Sequence, residues 1–419
     1  MLISSDSVNR LAEYVENRDE VFCSGLFLSA RWMIVSQLDH IGIQMIILPD
    51  RDSAEYCAAD LYHLIEGDRV YFLPDSGKNL ERSNYKSSLG VQRTSAIGKI
   101  LEYKEGEQVI VVTYPSALEE VIPEKGRISG SLLKLTVGEE RSYEDIKEIL
   151  FSSGFERVDF VSEPGQFAVR GALIDIFSYS FNNPFRISFF GDEIESINIF
   201  DANTQLSKEK VEYVDIYPDL SSSEDEEGSM VTDILPADTL VWMDSSDMYK
   251  DRQFFQELNR FRRIYMELPL SRQDEEAVRF NISPQPVFNK NFELLTEDIR
   301  SRIENGYRVR IYGEKQSQLE RLKSILSQNG GIFPEFISGS NIHNGFIDND
   351  NKVCCYSDHE IFDRFHRVNI RRTVEKSEQL TINDLTSFAI GDYIVHIDYG
   401  VGVFGGLVRM KDDKGRMHE

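Results

Sequence analysis

The chain has 419 residues, of which 41% are hydrophobic and 28% are charged, the balance of a soluble protein with several domains. Its formal net charge of −25 argues against broad contact with a nucleic acid backbone, which selects for basic surfaces. The net charge does not exclude local positive patches. Four cysteines without a CxxC spacing support neither a disulfide framework nor a zinc site. No apolar run approaches the length of a membrane span and no signal-peptide pattern is present, so we expect a cytoplasmic protein without a metal ion.

Strands alternate with helices over residues 1–128, which we interpret as the first part of one domain. The predicted strands are residues 20–24, 43–49, 70–73 and 108–114, and the helical patterns between them include residues 30–40, 53–65 and 90–103. This alternation predicts a doubly wound parallel sheet of the RecA or P-loop kind. Ligands of such sheets bind beyond the carboxyl ends of the strands, often at a glycine-rich first loop.

The first loop, VFCSGLFLSARW, lacks the residues that phosphate binding requires. The pattern G-x-x-x-x-G-K-[ST] supplies glycines for backbone approach, a lysine for the β and γ phosphates, and a hydroxyl for magnesium. Counted from Gly25, those positions hold Ala30, Arg31 and Trp32. The Ala30 methyl group crowds the phosphate path, and tryptophan cannot ligate magnesium. The loop therefore predicts a nucleotide fold that cannot perform nucleotide chemistry.

The strongest strand signal lies in residues 167–200, inside a module that we predict at residues 129–215. An amphipathic helix over residues 142–152, with a serine cap and an acidic first turn, precedes a mostly antiparallel sheet. A tight hairpin turn is predicted at residues 191–192. The alternation before this turn predicts one face made by Phe185, Ile187 and Phe189 and an opposite face made by Arg186, Ser188 and Phe190.

The second of these faces has two interpretations. Phenylalanine beside arginine is typical of partner-binding surfaces. The structural alternative, which these residues alone favour, is that Phe190 covers the sheet edge and Arg186 pairs with Asp192 or Glu193. A second arginine, Arg170, precedes a glycine where the apolar phase slips, as at a β-bulge that would turn the arginine outward.

The same residues carry a resemblance. The pattern FxxRGxLIDIF, followed by R-x-x-F-F-G-D-E-I-E-S-I and F-D-x-x-T-Q, resembles the module shared by the excision-repair helicases of the UvrB family and the transcription-repair coupling factors of the Mfd family. In both families the module docks onto the repair protein UvrA. The resemblance implies that Arg170, Arg186 and Phe190 make the UvrA contact. The long hairpin with which UvrB probes DNA lesions has no room in VTYPSALEEVIPEKGRISGS.

Beyond the module, ILPADTLVWMDSSD resumes the sheet pattern, and residues 216–280 are predicted to complete the first, discontinuous domain. The equivalent strand of UvrB ends in D-E-x-H, where the aspartate orients magnesium and the glutamate activates water. Here Asp244 is present, but Ser245 replaces the glutamate. The residues required for ATP hydrolysis are thus missing both from the first loop and from the strand that ends at Asp244. Their loss predicts that the chain has no catalytic residues and needs no cofactor.

The carboxyl-terminal third is predicted to hold a small α/β domain at residues 281–370, a linker at 371–384, and a partial β-barrel of the CarD or Tudor kind at 385–419. The motif G-D-Y-I-V-H-x-D-Y-G-V-G-x-F-G-G-L resembles the CarD-like domain with which the Mfd family holds the β subunit of RNA polymerase. The resemblance implies contacts by Leu407 and Met410.

The two resemblances together favour the amino-terminal part of a transcription-repair coupling factor, because UvrB has no CarD-like domain. They imply a monomeric, non-catalytic recruitment portion that binds UvrA and RNA polymerase in transcription-coupled nucleotide excision repair. The ATP-dependent DNA translocase, and contact with double-stranded DNA, are expected in motor domains beyond residue 419. The alternatives are an active UvrB-type helicase, which the Gly25 loop and Ser245 argue against, and a stand-alone polymerase-binding regulator, which the long upstream sequence argues against.

Overall fold

The computed structural model describes residues 6–363, with gaps at 39–41, 66–68, 78–82, 125, 127, 129–131, 182, 222–227, 245, 269–276 and 329–333, and then the segments 393–396, 400–403, 410–411 and 417–418. The chain divides into two compact units, Met1–Thr373 and Val374–Glu419. Each unit is described by itself.

The first unit begins with alternating helices and parallel strands, as the sequence predicts. The elements are α1 (Asp6–Asn17), β1 (Glu20–Ser24), α2 (Ala30–Gln37), β2 (Gly42–Ile47), α3 (Arg51–Leu64), β3 (Val70–Phe72), α4 (Ser83–Glu102), β4 (Gln108–Thr113) and α5 (Pro115–Glu119). Every residue of β2 is buried, and its sequence is almost continuously apolar, which is typical of a central parallel strand covered on both faces. Helix α3 begins where the Asp50 carboxylate accepts a hydrogen bond from the Ser53 amide.

The inserted module follows. Its elements are β5 (Leu133–Thr136), α6 (Tyr143–Ser152), β6 (Glu156–Arg157), β7 (Gln166–Arg170), β8 (Leu173–Ile176), β9 (Phe185–Phe190), β10 (Glu193–Phe200), β11 (Ser207–Val211) and β12 (Tyr213–Ile216). Within the described ranges, six of these strands form a sheet in the order β11-β10-β9-β8-β7-β6, antiparallel except for the β6–β7 pair. One face of this sheet packs on α6 and on the β5–β12 ladder around a single apolar core. As predicted, the Ser142 side chain caps α6.

The chain then returns to the first sheet. The returning elements are β13 (Leu240–Met243), α7 (Gln253–Glu257), β14 (Arg262–Tyr265) and β15 (Val278–Arg279), with 3-10 turns at Val231–Ile234, Ser246–Met248 and Leu258–Arg260. Among the described residues, seven parallel strands join in the order β15-β1-β14-β13-β2-β4-β3. The neighbours Ile46 and Ile47 belong to different apolar clusters, one with α1, α2 and α3 and one with α4 and α7. Helices therefore cover both faces of this sheet.

A smaller mixed sheet completes the first unit. Its elements are β16 (Ile282–Pro284), α8 (Phe292–Glu304), β17 (Arg308–Gly313), α9 (Gln316–Gln328), β18 (Glu335–Ser338), β19 (Phe346–Asp348), β20 (Val353–Ser357) and α10 (Asp358–Ile361). The strand order is β16-β19-β20-β17-β18. Cys354 and Cys355 are buried in β20.

The smaller sheet is joined to the larger one through a buried carboxylate. Asp60 on α3 accepts hydrogen bonds from the Ser29 hydroxyl (2.6 Å) and from the His343 amide (2.7 Å). The Asn344 amide in turn donates to the Ser29 oxygen (2.9 Å). Burial raises the pKa of Asp60 to about 7. Ser29 of the first loop is therefore held by α3 and by the segment that leads into β19, which the sequence did not reveal.

The described segments of the second unit form two antiparallel strand pairs. Strand β21 (Tyr393–His396) pairs with β22 (Gly400–Val403), and β23 (Met410–Lys411) pairs with β24 (Met417–His418). The predicted mixed α/β architecture is confirmed, whereas the RecA-like assignment and the partial barrel stay predictions. Leu407 and the predicted linker lie outside the described residues, and Met410 lies in β23. No helix in the described ranges is long and apolar enough to cross a membrane.

Candidate functional site

The backbone of the first loop packs closely against the segment that contains Phe280. Gly25 has φ +69°, and a Cβ atom there would lie 2.0 Å from the Phe280 carbonyl oxygen. The Phe280 amide also donates to the Ser24 carbonyl (2.8 Å), which draws the two segments together. Glycine is therefore required at position 25 for a close backbone approach.

Arg31 occupies the sequence position of the phosphate-binding lysine and is bound to the protein's own carboxylates. Its Nη1 donates to Asp244 Oδ1 (2.7 Å), its Nη2 to Glu267 Oε1 (2.9 Å), and its Nε to the Leu26 carbonyl (3.2 Å). Asp244 directly follows β13, where burial raises the pKa of its carboxyl group and the charge of Arg31 opposes that rise. The guanidinium thus crosslinks α2 to the strand end at which a magnesium-orienting aspartate would act.

The other predicted residues of this loop are buried in the core. Ala30 is fully buried and Trp32 is 7% exposed, and both belong to the apolar cluster on the α1–α3 face. Ser245 lies outside the described residues. Among the described residues, no group of three or more His, Cys, Asp or Glu side chains is placed to hold a metal ion.

The second candidate site is the outer face of the six-stranded sheet, which is the face opposite its core. Phe190 on this face is 80% exposed, whereas Phe189 is 6% exposed. The alternation predicted for residues 185–190 is thus confirmed, and β9 and β10 turn back through the two-residue loop 191–192. We call this surface the outer face and define it by Phe160, Arg170, Asp175, Arg186 and Phe190.

A buried carboxylate holds both arginines of the outer face. Asp175 is fully buried and accepts two hydrogen bonds from Arg186, at Nε (2.7 Å) and Nη2 (2.9 Å). Its Oδ2 also accepts from Arg170 Nη2. The hydrogen bonds to Asp175 raise the pKa of Arg186, although burial of the guanidinium acts in the opposite direction. The pairing of Arg186 with Asp192 or Glu193 that the structural interpretation expected is wrong.

Strand register explains the difference. Asp175 stands directly opposite Arg186 in the β8–β9 ladder, whereas Glu193 stands opposite Phe190 beside the hairpin turn. Side chains that are directly opposite on one face are the nearest available partners. An aspartate inside the apolar run LIDI was the sequence signal that could have identified this pair.

The predicted bulge at Arg170 is also wrong. Arg170 pairs with Leu173, so residues 171–172 form a two-residue hairpin loop with Gly171 at φ +59°. The phase of the apolar pattern slips there because the strand ends and turns. Arg170 consequently lies at the tip of the β7–β8 hairpin, on the outer face.

Aromatic rings flank both arginines. The Arg186 guanidinium lies 4.4 Å from the centre of the buried Phe200 ring, and that of Arg170 lies 5.1 Å from the centre of the Phe160 ring. Phe160 is 63% exposed. Sequence reasoning identified neither Phe160 nor Asp175.

Two protein-family models match parts of this chain. Residues 133–221 match the UvrB interaction domain, which includes the six-stranded sheet and its outer face. Residues 388–418 match the CarD-like/TRCF RID domain.

Curated relatives match more of the chain. A transcription-repair-coupling factor of Borreliella burgdorferi is 22% identical over 74% of this chain and 33% of the relative. That of Bacillus subtilis is 30% identical over 48% of this chain and 17% of the relative. That of Staphylococcus aureus strain RF122 is 20% identical over 97% of this chain and 44% of the relative.

The chain thus spans less than half the length of these relatives. The similarity to the Staphylococcus aureus relative covers 97% of this chain and so extends across both the UvrB interaction domain and the CarD-like domain. The resemblance predicted from the sequence is therefore confirmed, and the chain is similar to the transcription-repair-coupling factors in the part that holds these two domains.

Proposed function

We propose that this chain is the recruitment portion of a transcription-repair coupling factor and docks the repair protein UvrA through its outer face. The observation that carries the proposal is the cluster of two arginines on one buried aspartate, on the same sheet face as the 80% exposed Phe190, inside the UvrB interaction domain. Arginine and aromatic side chains on a rigid scaffold are the usual energetic centre of a protein interface.

The charge of the cluster supports this role. Arg170 and Arg186 carry two positive charges against the single negative charge of Asp175, in a chain whose formal net charge is −25. Such a local positive patch attracts an acidic surface on a partner. The strands beneath the arginines fix their positions, so that little side-chain freedom is lost on binding.

The proposal also states that the first loop performs no nucleotide chemistry. The Arg31–Asp244 pair supports it, because the only basic side chain of the loop donates to protein carboxylates and a protein carbonyl. The UvrB-type helicase alternative needs a lysine and a second glycine where Arg31 and Ala30 stand.

The remaining parts of the proposal rest on the similarity of the CarD-like region. The chain holds RNA polymerase through that region, with Leu407 and Met410 as the contact residues. The complete factor adds an ATP-dependent DNA translocase, which would displace a stalled polymerase while the UvrB interaction domain brings UvrA to the lesion.

Calorimetric titration of the purified chain with purified UvrA tests the docking proposal. We expect saturable binding without added nucleotide. Arg252→Ala serves as a control for the loss of an arginine, because the Arg252–Glu119 pair is exposed and lies outside the inserted module. The absence of binding by the wild-type chain would sink the docking proposal.

A further inference from the structure

The loop before β7 carries a large exposed aromatic residue with no role in the core. Phe160 is 63% exposed, and the module's apolar core is built without it. Isolated exposed apolar residues are common in proteins. Phe160 differs because its ring lies under the Arg170 guanidinium, at 5.1 Å.

The loop that carries Phe160 is held against the outer face from both sides. Gln205 Nε2 donates to the Val161 carbonyl (3.3 Å), while Gln205 Oε1 accepts from Arg186 Nη2 (3.3 Å). On the other side, the Gln166 Oε1 atom on β7 accepts from the Ser162 amide (2.9 Å). The Phe160 backbone is therefore fixed to the same framework as the two arginines.

The arginines differ in what they can offer to a partner. Arg186 directs Nε and Nη2 to Asp175 and Nη1 to the Gln205 carbonyl (3.4 Å), and its side chain is 19% exposed. Arg170 uses Nη2 alone, its side chain is 35% exposed, and among the described residues its Nε and Nη1 make no hydrogen bond. Most of the unused N–H donors of the two arginines therefore belong to Arg170, next to Phe160.

We propose that Phe160 and the free edge of Arg170 form a further part of the docking surface, which receives a carboxylate side chain of the partner together with a neighbouring apolar side chain. This inference rests on the proposed docking of UvrA. The carboxylate accepts from Arg170, and the apolar group covers the Phe160 ring. Desolvation by the aromatic ring strengthens the new ion pair, since water is excluded from one side of it.

Phe160→Ala tests the aromatic half, with Phe151→Ala as its matched control. Phe151 is 55% exposed in the same module, but it packs edge-on against Phe167 on the α6 side, away from the outer face. We expect Phe160→Ala to weaken UvrA binding at least tenfold, about 1.4 kcal/mol. Its melting temperature should stay that of the wild type, and Phe151→Ala should bind normally.

Arg170→Gln tests the carboxylate half, because Asp175 keeps its bidentate partner Arg186 in this variant. Wild-type affinity should fall as salt is raised, and the variant should bind more weakly with a shallower salt dependence. Normal UvrA binding by Phe160→Ala, equal losses in Phe160→Ala and Phe151→Ala, or an unchanged salt dependence in Arg170→Gln would overturn the inference. These outcomes require a wild-type chain that binds UvrA, so they are distinct from failure of the docking proposal.

Discussion

The first loop and the outer face both place arginine against a buried aspartate, with opposite results. At the loop, Arg31 is shared by two carboxylates, Asp244 and Glu267, so its charge and its donors are used within the protein. On the outer face, Asp175 is shared by two arginines, so one positive charge and several donors remain. The ratio of arginines to carboxylates, rather than the presence of an ion pair, thus separates a closed structural site from a surface that can bind a partner.

The largest effect is expected from breaking the closed site. Arg31→Ala leaves the buried Asp244 without its cation, which should lower the free energy of local unfolding by about 3–5 kcal/mol. Hydrogen exchange of the β13 and β14 amides measures that change. Arg252→Ala, which removes an exposed ion pair with Glu119, should cost at most about 1 kcal/mol. Equal protection in the two variants would show that Arg31 is not needed to hold the strand ends together.

Two adjacent phenylalanines test the faces of the six-stranded sheet. Phe189→Ala removes a core side chain and should destabilise the module by about 3–5 kcal/mol, whereas Phe190→Ala should change its stability little. Denaturant unfolding followed by hydrogen exchange in β9 and β10 separates them. Early unfolding of the Phe190 variant would mean that this ring is structural.

A smaller loss of stability is expected for Arg186→Ala. Asp175 then keeps Arg170 as a partner but loses two hydrogen bonds in a fully buried position, which should cost about 1–3 kcal/mol. The sequence alone would have predicted almost no cost, because it placed the partner of Arg186 at the surface. Protection of β8 and β9 amides at the wild-type level would contradict the buried pair.

Arg170→Ala should weaken UvrA binding while changing the stability of the module less than Arg186→Ala does. Arg170 contributes one hydrogen bond to Asp175, and its side chain is 35% exposed. We expect UvrA affinity to fall at least tenfold, about 1.4 kcal/mol, with a melting temperature close to that of the wild type. A variant that melts early and binds normally would reverse the roles assigned to the two arginines.

We expect the first loop to bind neither ATP nor magnesium. A fluorescent ATP analogue should show no saturable binding to the wild-type chain or to Arg31→Lys, because Ala30 and Trp32 remain buried in the loop core. Binding with a micromolar dissociation constant that ATP competes away would refute the closed site.

Local patterns were sufficient for the elements and their faces. The strand at Glu20–Ser24 has the predicted bounds, and the alternation around Phe189 is correct. The partners of Arg31 and Arg186 were missed because they depend on pairing between distant segments: Arg31 and Asp244 are 213 residues apart. The bulge at Arg170 was misjudged because a two-residue turn and a bulge shift the apolar phase alike.

The central claim is that the outer face docks UvrA, and Phe190 tests it most directly because this ring is 80% exposed and its removal should leave the fold intact. The measurement is the affinity of purified UvrA for the wild-type chain and for Phe190→Ala, with a melting curve for each. The account predicts saturable binding by the wild type and at least a tenfold loss in the variant at an unchanged melting temperature. Equal affinity of the two proteins for UvrA would contradict it.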